Sequence, residues 1–303
     1  MSRPTSRELV QRAVEAHTAI PSFNIPYLPM MAPVVGALRD TGTVGMVTAA
    51  RVEWKQFSPG SPRELFDAFE PYREEPLVRL HLDHIPVIDE DDERVDYLSY
   101  LAEAVDLGYD SVMIDGSRLP LEENMAATRE VVVLAERGGA AVEGELGAVL
   151  GHEAGPTPPY EELFASGRGF TDPDEAKRFV RETGVDWLSV AVGNIHGAVA
   201  AATRQQAKVQ ARLHLEHLDR LREAAEVPLV LHGGSGIHPE YLQEGIRRGI
   251  AKVNVGTAIR QPYEAALSGS AEQARDAVYR ATVQVLEQEL QVAGSAATLG
   301  IHR

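Results

Sequence analysis

Eight short apolar, β-branched runs, helical spacing in the stretches between them, and glycines where helices should stop predict an α/β fold. The expected architecture is a TIM (β/α)8 barrel, one domain spanning 1–303, with a C-terminal helical extension over about 271–293. A doubly wound sheet is the competing fold, but no Gly-x-Gly-x-x-Gly follows the first strand.

Taken in order, the predicted strands are 21–25, 44–48, 77–83, 111–115, 140–145, 187–192, 228–232 and 251–255. Between the third and fourth, Val95, Leu98, Leu101, Ala102 and Val105 recur at helical spacing over 92–106, and 121–137 reads the same way. Gly108, Gly184 and Gly249 each stand just before a strand, as C′ glycines that let the chain turn left-handed out of a helix. The segments around them are weakly alike, as repeated βα units should be. Two stretches break the rhythm. Residues 147–169, rich in Gly and Pro after the fifth strand, read as a lid or binding loop. Residues 198–212, after the sixth, carry Arg204, Lys208 and Arg212. In the extension, Ala274, Val278, Val285 and Leu286 form an apolar stripe that would pack on the barrel or on a second subunit.

Composition excludes several classes. A net charge of −16 disfavours nucleic acid and anionic membrane as partners, since both need clustered Lys and Arg. With no spanning apolar run and no signal-peptide pattern, the expected location is cytoplasmic. The chain has no cysteine, so a metal site must be built from His and carboxylates.

The predicted strand tips carry Asn24, Asp83 with His84, Asp115, Glu145, His196, His232 and Asn254. In a TIM barrel these converge on the one face where active sites sit. His84, His196 and His232 supply three imidazoles and leave one position open, the composition of a catalytic zinc site. Asp83 and His84, adjacent on a strand, should point to opposite sides, His84 to the metal and Asp83 to a substrate proton. His81 shares a face with Asp83 and reads as a packed barrel residue. Two glycine-rich turns, His232-Gly-Gly-Ser-Gly and Asn254-Val-Gly-Thr, follow strands seven and eight, where exposed N–H groups beside helix starts cradle phosphate. This set suits a metal that holds a ketose carbonyl and its neighbouring hydroxyl, stabilising the enediolate left when the C–C bond breaks. The Schiff-base route is poorly supplied. Of four lysines, Lys55 and Lys208 fall in loops, Lys177 on a helix, and Lys252 near the start of strand eight, away from the catalytic face.

The chain resembles the class II, zinc-dependent ketose-bisphosphate aldolases, the fructose- and tagatose-bisphosphate group. The likeness runs almost end to end: Ser22-Phe-Asn, His81-Leu-Asp-His, Ser111-Val-Met-Ile-Asp-Gly-Ser, Leu121-Glu-Glu-Asn, Val142-Glu-Gly-Glu-Leu-Gly, Thr171-Asp-Pro-Asp-Glu-Ala, Val192-Gly-Asn-Ile-His-Gly, Val230-Leu-His-Gly-Gly-Ser-Gly, Lys252-Val-Asn-Val and Gly294-Ser-Ala. The resemblance implies zinc on His84, His196 and His232, with cobalt as a substitute and a monovalent cation as a second ion. It implies Asp83 as acid/base, Glu145 as the carboxylate of an alternative metal position, Glu153 as the residue exchanging the donor's proton, and Asn254 as the enediolate's support. Gly197, Gly233, Ser235 and Thr257 would hold the donor phosphate, with Asn24 and Gly256 also lining the substrate. A homodimer or homotetramer is implied as well.

Departures gather at the substrate end: Gly256 where the family usually has Asp or Asn before Thr257, Ala198-Val-Ala-Ala after His196-Gly, Thr48-Ala-Ala-Arg51, Ile85-Pro86 after His84, Arg118, and Tyr27-Leu-Pro-Met. The metal and proton-transfer set is intact, so the expected activity is an aldolase whose substrate is not simply fructose 1,6-bisphosphate. A metal-dependent epimerase or isomerase, and a non-catalytic sugar-phosphate-binding paralogue, are the alternatives.

Overall fold

In the computed structural model, which describes residues 3–58, 60–147, 160–194 and 211–301, eight parallel strands close into a barrel in sequence order. They are β1 (Ile20–Asn24), β2 (Gly45–Ala50), β3 (Val78–Pro86), β4 (Ser111–Asp115), β5 (Ala141–Leu146), β6 (Trp187–Val190), β7 (Leu229–Leu231) and β8 (Ile250–Val255). Each pairs with its sequence neighbours, and β1 closes on β8 with Ser22 opposite Asn254. The predicted strands hold within a residue or two, except that β3 runs on through His84 to Pro86.

Helices surround the strands: α1 (Ser6–Glu15), α2 (Met31–Asp40), α3 (Arg51–Gln56), α4 (Pro62–Phe69), α5 (Tyr97–Leu107), α6 (Leu121–Glu136), α7 (Tyr160–Ser166), α8 (Pro173–Thr183), α9 (Leu215–Ala225), α10 (Pro239–Arg247), α11 (Thr257–Ala266), α12 (Ala271–Gln284) and α13 (Ser295–Thr298). Gly108, Gly184 and Gly249 have φ of 91°, 76° and 114°, the left-handed backbone their placement predicts. Apolar strand residues facing outward meet the helices, so the core is a ring between barrel and helices: Leu80, Leu82, Val112, Ile114, Val142 and Val253 are all buried. The barrel's own interior is different. Along β1, β3, β5 and β8 the inward positions are Ser22, His81, Glu143 and Lys252, all buried.

The extension packs on its own chain. Helix α12 lies against α2 and α11, with Ala274 and Val278 buried, and Tyr279 donates to Asp40 at 2.8 Å. It then widens into one π-turn over Val285–Glu289, burying Val285 and Leu286. Beyond it, the Gly294 and Ala296 N–H groups donate to Thr41 and Gly42 carbonyls, and Ser295 Oγ accepts from Val44 N–H. The tail is thereby pinned to the turn that feeds β2.

Candidate active site

The alternation expected of Asp83 and His84 fails, and the failure builds the site. The register of β3 against β4 slips between Leu82 and Ile85, and His84 has φ of 36°, a left-handed backbone uncommon outside glycine. Such a bulge re-aims a side chain, and strain of this kind costs roughly 1–3 kcal/mol unless the surroundings hold it. Both residues therefore reach the same centre: ligand atoms of Asp83, His84 and His232 lie within 4.8 Å of one another. His84 Nε2 and His232 Nδ1 face each other at 2.8 Å.

Partners on the far side of each ring fix which nitrogen points inward. His84 Nδ1 lies 3.1 Å from Asp115 Oδ2, and His232 Nε2 lies 2.7 Å from Glu143 Oε1. A carboxylate behind an imidazole holds the tautomer that leaves the other nitrogen's lone pair for a metal. Glu145 stands beside His84 as well, its Oε2 buried 3.5 Å from Nδ1 and without a hydrogen bond among the described residues. His84, Asp115 and Glu145 make a second group of ligand atoms that shares His84 with the first. Facing imidazole nitrogens, an unsatisfied buried carboxylate oxygen and no thiol form a donor set that fits one divalent cation.

Burial opposes a charge on His84, but Asp83, Glu145 and Asp115 outweigh it and push the imidazole up to about 10. His232 is shifted the other way, downward, by burial first and then by His84. Glu145 is raised by burial and by Asp115. Asp83 is held low: burial would raise it, yet His84 first, and Lys252 with it, prevail.

Asp83 is gripped by two amides. Asn24 Nδ2 donates to its Oδ2 at 3.0 Å and Asn254 Nδ2 to its Oδ1 at 2.9 Å. The Asn254 amide is itself oriented from below, because Lys252 Nζ donates to its Oδ1 at 2.6 Å. Lys252 is thus not remote from the catalytic face, as its place near the start of β8 suggests. It stands inside the barrel, fully buried, and its Nζ pairs with Glu143 Oε2 at 2.8 Å. Glu143 also accepts from Trp187 Nε1 at 2.7 Å. One carboxylate therefore ties together His232, Lys252 and Trp187. Replacing Lys252 with Met is expected to lower the unfolding free energy by about 3–5 kcal/mol, because it strands the Glu143 charge. Adding Glu143→Gln should return part of that loss. Urea unfolding followed by tryptophan fluorescence measures both, and a Lys252→Met change under about 1 kcal/mol would refute the pairing.

At the ends of β7 and β8 the two glycine turns lie together. A Cβ on Gly234 would stand 2.6 Å from Val253 and 3.0 Å from the Asn254 carbonyl, so only glycine admits this approach. Ser235 Oγ accepts the Ala258 N–H in the first turn of α11, which begins at Thr257. Gly233, Ser235, Gly256 and Thr257 thus share one corner of the mouth. His196, Gly197 and Glu153 lie outside the described residues, as do Arg204 and Lys208.

Two acidic residues that motif reading passed over, Glu143 and Glu53, join the site, and Asp115, a predicted strand tip, stands behind His84. Period-two alternation from Glu145 along β5 points to Glu143, and Asp115 is the tip of β4. Glu53 carries a weaker signal. It lies in α3, where its Oε2 reaches back to the Ala50 N–H at 2.8 Å and also accepts from Asn24 Nδ2 at 3.1 Å. Burial raises its carboxyl to about 7 against the pull of those two hydrogen bonds, with Asp83 adding to the rise.

The match to known proteins agrees with this geometry. The family described as fructose-bisphosphate aldolase class-II matches residues 4–298. The chain belongs to that family. A fructose-bisphosphate aldolase of Streptococcus pyogenes serotype M3 is 39% identical over 181 residues. That stretch is 59% of this chain and 53% of the relative, so the chain matches about half the length of the curated relatives. Among solved structures, a Coccidioides immitis protein assigned as a fructose-1,6-biphosphate aldolase superposes with TM-score 0.75 at 26% identity, covering 97% of this chain and 98% of that one. The YdjI aldolase of Escherichia coli K12 gives 0.74 at 27%, covering 96% and 98%. Within this class II family, the closed parallel barrel is the shared scaffold.

Proposed function

We propose that the protein is a metal-dependent aldolase, reversibly cleaving a ketose phosphate into dihydroxyacetone phosphate or a similar donor and an aldehyde other than the usual one. The observation that carries this reading is Asp83, an ionised carboxylate held by two amides beside two facing imidazole nitrogens. His84 and His232, with His196 outside the described residues, would hold zinc, and Glu145 would offer an alternative position. When bound, the metal supplies polarisation of the donor carbonyl and its neighbouring hydroxyl oxygen.

The chain's own residues do the rest. Asp83 accepts the proton of the hydroxyl beside the breaking bond in cleavage and returns it in condensation. Both its oxygens receive amide N–H bonds, which favour the ionised, accepting form. Asn254, kept in register by Lys252, presents an amide where negative charge develops on the donor. Gly233, Ser235 and Thr257, with Gly197, would bind the donor phosphate through N–H groups near the start of α11. Glu153 would move the donor's own proton. Zinc with cobalt as a substitute, a homo-oligomeric assembly and a cytoplasmic location belong to the same proposal; among the described residues no helix is long and apolar enough to cross a membrane.

A condensation and retro-aldol screen tests this reading, with dihydroxyacetone and dihydroxyacetone phosphate as donors against a panel of aldehydes, before and after EDTA. The expected result is a product whose mass is the sum of donor and aldehyde, abolished by EDTA and restored by zinc. A product of unchanged carbon number would make the enzyme an epimerase or isomerase. Binding without turnover would make it a sugar-phosphate-binding paralogue. Fructose 1,6-bisphosphate emerging as the best substrate would refute the altered specificity.

A further inference from the structure

Glu53 brings to the mouth of the barrel a carboxylate that the proton-transfer and metal set does not use. One Asn24 nitrogen donates both to Glu53 Oε2 and to Asp83 Oδ2, so the two carboxylates share a single amide within 3.1 Å of each. Among the described residues Glu53 Oε1 accepts no hydrogen bond. Beside Asn24 on its other flank is Gly256. Its φ of −119° is open to any residue, and a Cβ there would sit in ordinary contact, 3.5 Å from Asn24 Cβ. The backbone does not require glycine at this point. What glycine supplies is room next to Asn24.

Among the described residues the neighbouring cations are paired with carboxylates. Arg51 pairs with Asp89 at 3.0 Å, Lys55 with Asp91 at 3.0 Å, and Arg118 with Asp92 at 2.7 Å and with the Asp89 carbonyl. Asp89 is buried and also accepts the N–H groups of Asp91 and Glu93, so the loop after β3 is built around its charge and holds those cations in place. Arg260, the cation of α11, reaches Glu53 with its charge but is itself bound by both oxygens of Glu264 at 2.8 Å. Among the described residues, Asn24 and Glu53 therefore present amide and carboxylate beside Asp83, which attract hydroxyl hydrogens and disfavour a phosphate dianion.

We propose that Glu53, with the space beside Gly256, forms the acceptor subsite, and that it takes an uncharged hydroxylated aldehyde such as glyceraldehyde rather than a phosphorylated one. This rests on the aldolase reading above. Glu53 would accept a hydroxyl of the acceptor, and it is a specificity-determining residue with no part in proton transfer.

The test uses zinc-loaded protein at pH 8, dihydroxyacetone phosphate as donor, and glyceraldehyde and glyceraldehyde 3-phosphate as acceptors, for wild type, Glu53→Gln and Glu53→Ala. Deuterium exchange into the donor without aldehyde, followed by NMR, reads the donor half-reaction alone. Wild type should favour glyceraldehyde by about 10-fold or more in kcat/KM. Glu53→Ala should raise the glyceraldehyde KM by about 10-fold to 100-fold, with a loss in donor exchange at least about 10-fold smaller. Glu53→Gln keeps an oxygen for the Ala50 N–H and so keeps the fold, which circular dichroism checks. It should narrow the preference for the uncharged acceptor. A wild-type preference for glyceraldehyde 3-phosphate, or an acceptor ratio unmoved in both variants, overturns the inference while leaving the aldolase reading intact. Absence of donor exchange in wild type defeats the aldolase reading itself.

Discussion

Asp83→Ala should retain its metal and lose aldol cleavage. The two effects separate because the residue's surroundings separate them. Asp83 is held by the amides of Asn24 and Asn254, whereas the facing nitrogens of His84 and His232 are set by Asp115 and Glu143. Removing the carboxylate takes away the base but not the imidazoles, so metal content per chain should stay near the wild-type value. A positioned general base is worth about 10²–10⁴-fold, and kcat should fall by that much at least. Asn254 Nδ2 loses its acceptor while Asn24 Nδ2 keeps Glu53, a cost of about 1–3 kcal/mol that should appear as a lower melting temperature of a still folded protein. Asp83→Asn keeps the shape but offers only one acceptor oxygen to two donors, and it should be similarly inactive. Steady-state cleavage rates with metal analysis of the same preparations decide the matter. Cleavage within about 10-fold of wild type would remove Asp83 from the proton-transfer role.

The barrel was legible because two independent periods agreed, β-branched runs and helical spacing, punctuated by Gly108, Gly184 and Gly249 at positive φ. The convergence of Asn24, Asp83, His84, Glu145, His232 and Asn254 followed from that topology alone, since strand tips of a parallel barrel share a face. What stayed hidden was local geometry that breaks the period. Strict alternation sends Asp83 and His84 to opposite sides, and only the bulge at Leu82–Ile85 brings them to one centre. No propensity rule announces a left-handed histidine. Its position is over-determined by Asp115, Glu145 and His232, which lie far away in sequence.

The same limit explains Lys252 and Glu143. A lysine in a strand reads as an end or edge residue, because burying its charge alone is costly. Its partner is on β5, across the barrel, and the pair becomes visible only once the barrel is closed. Glu53 is a milder case. Its reach back to Ala50 is a recognisable helix-start pattern, but its second contact, with Asn24, depends on how α3 leans over the mouth of β1. The placement of residues at strand tips could thus be read from sequence. The supporting residues, which fix tautomers and amide orientations, could not.

His232→Ala should lose both metal and activity, and it is the sharpest test of the metal centre. The His232 ring is engaged on both sides within 2.8 Å, by His84 at Nδ1 and by Glu143 at Nε2. The Glu143 carboxylate keeps the Nε2 hydrogen in place, which leaves the Nδ1 lone pair aimed at the centre. Disturbing only such a supporting carboxylate typically costs about 10–100-fold in metal affinity, so deleting the imidazole itself should cost more. A ligand that binds only the folded state also raises its stability, so zinc should lift the melting temperature of wild type and of Asp83→Ala. It should leave His232→Ala unmoved. That contrast does not depend on turnover, and it separates a lost metal site from a misfolded barrel, because the variant keeps Glu143 bound to Lys252 and Trp187. If His232→Ala holds zinc as tightly as wild type after dialysis, the metal lies elsewhere, and the facing imidazoles serve another purpose.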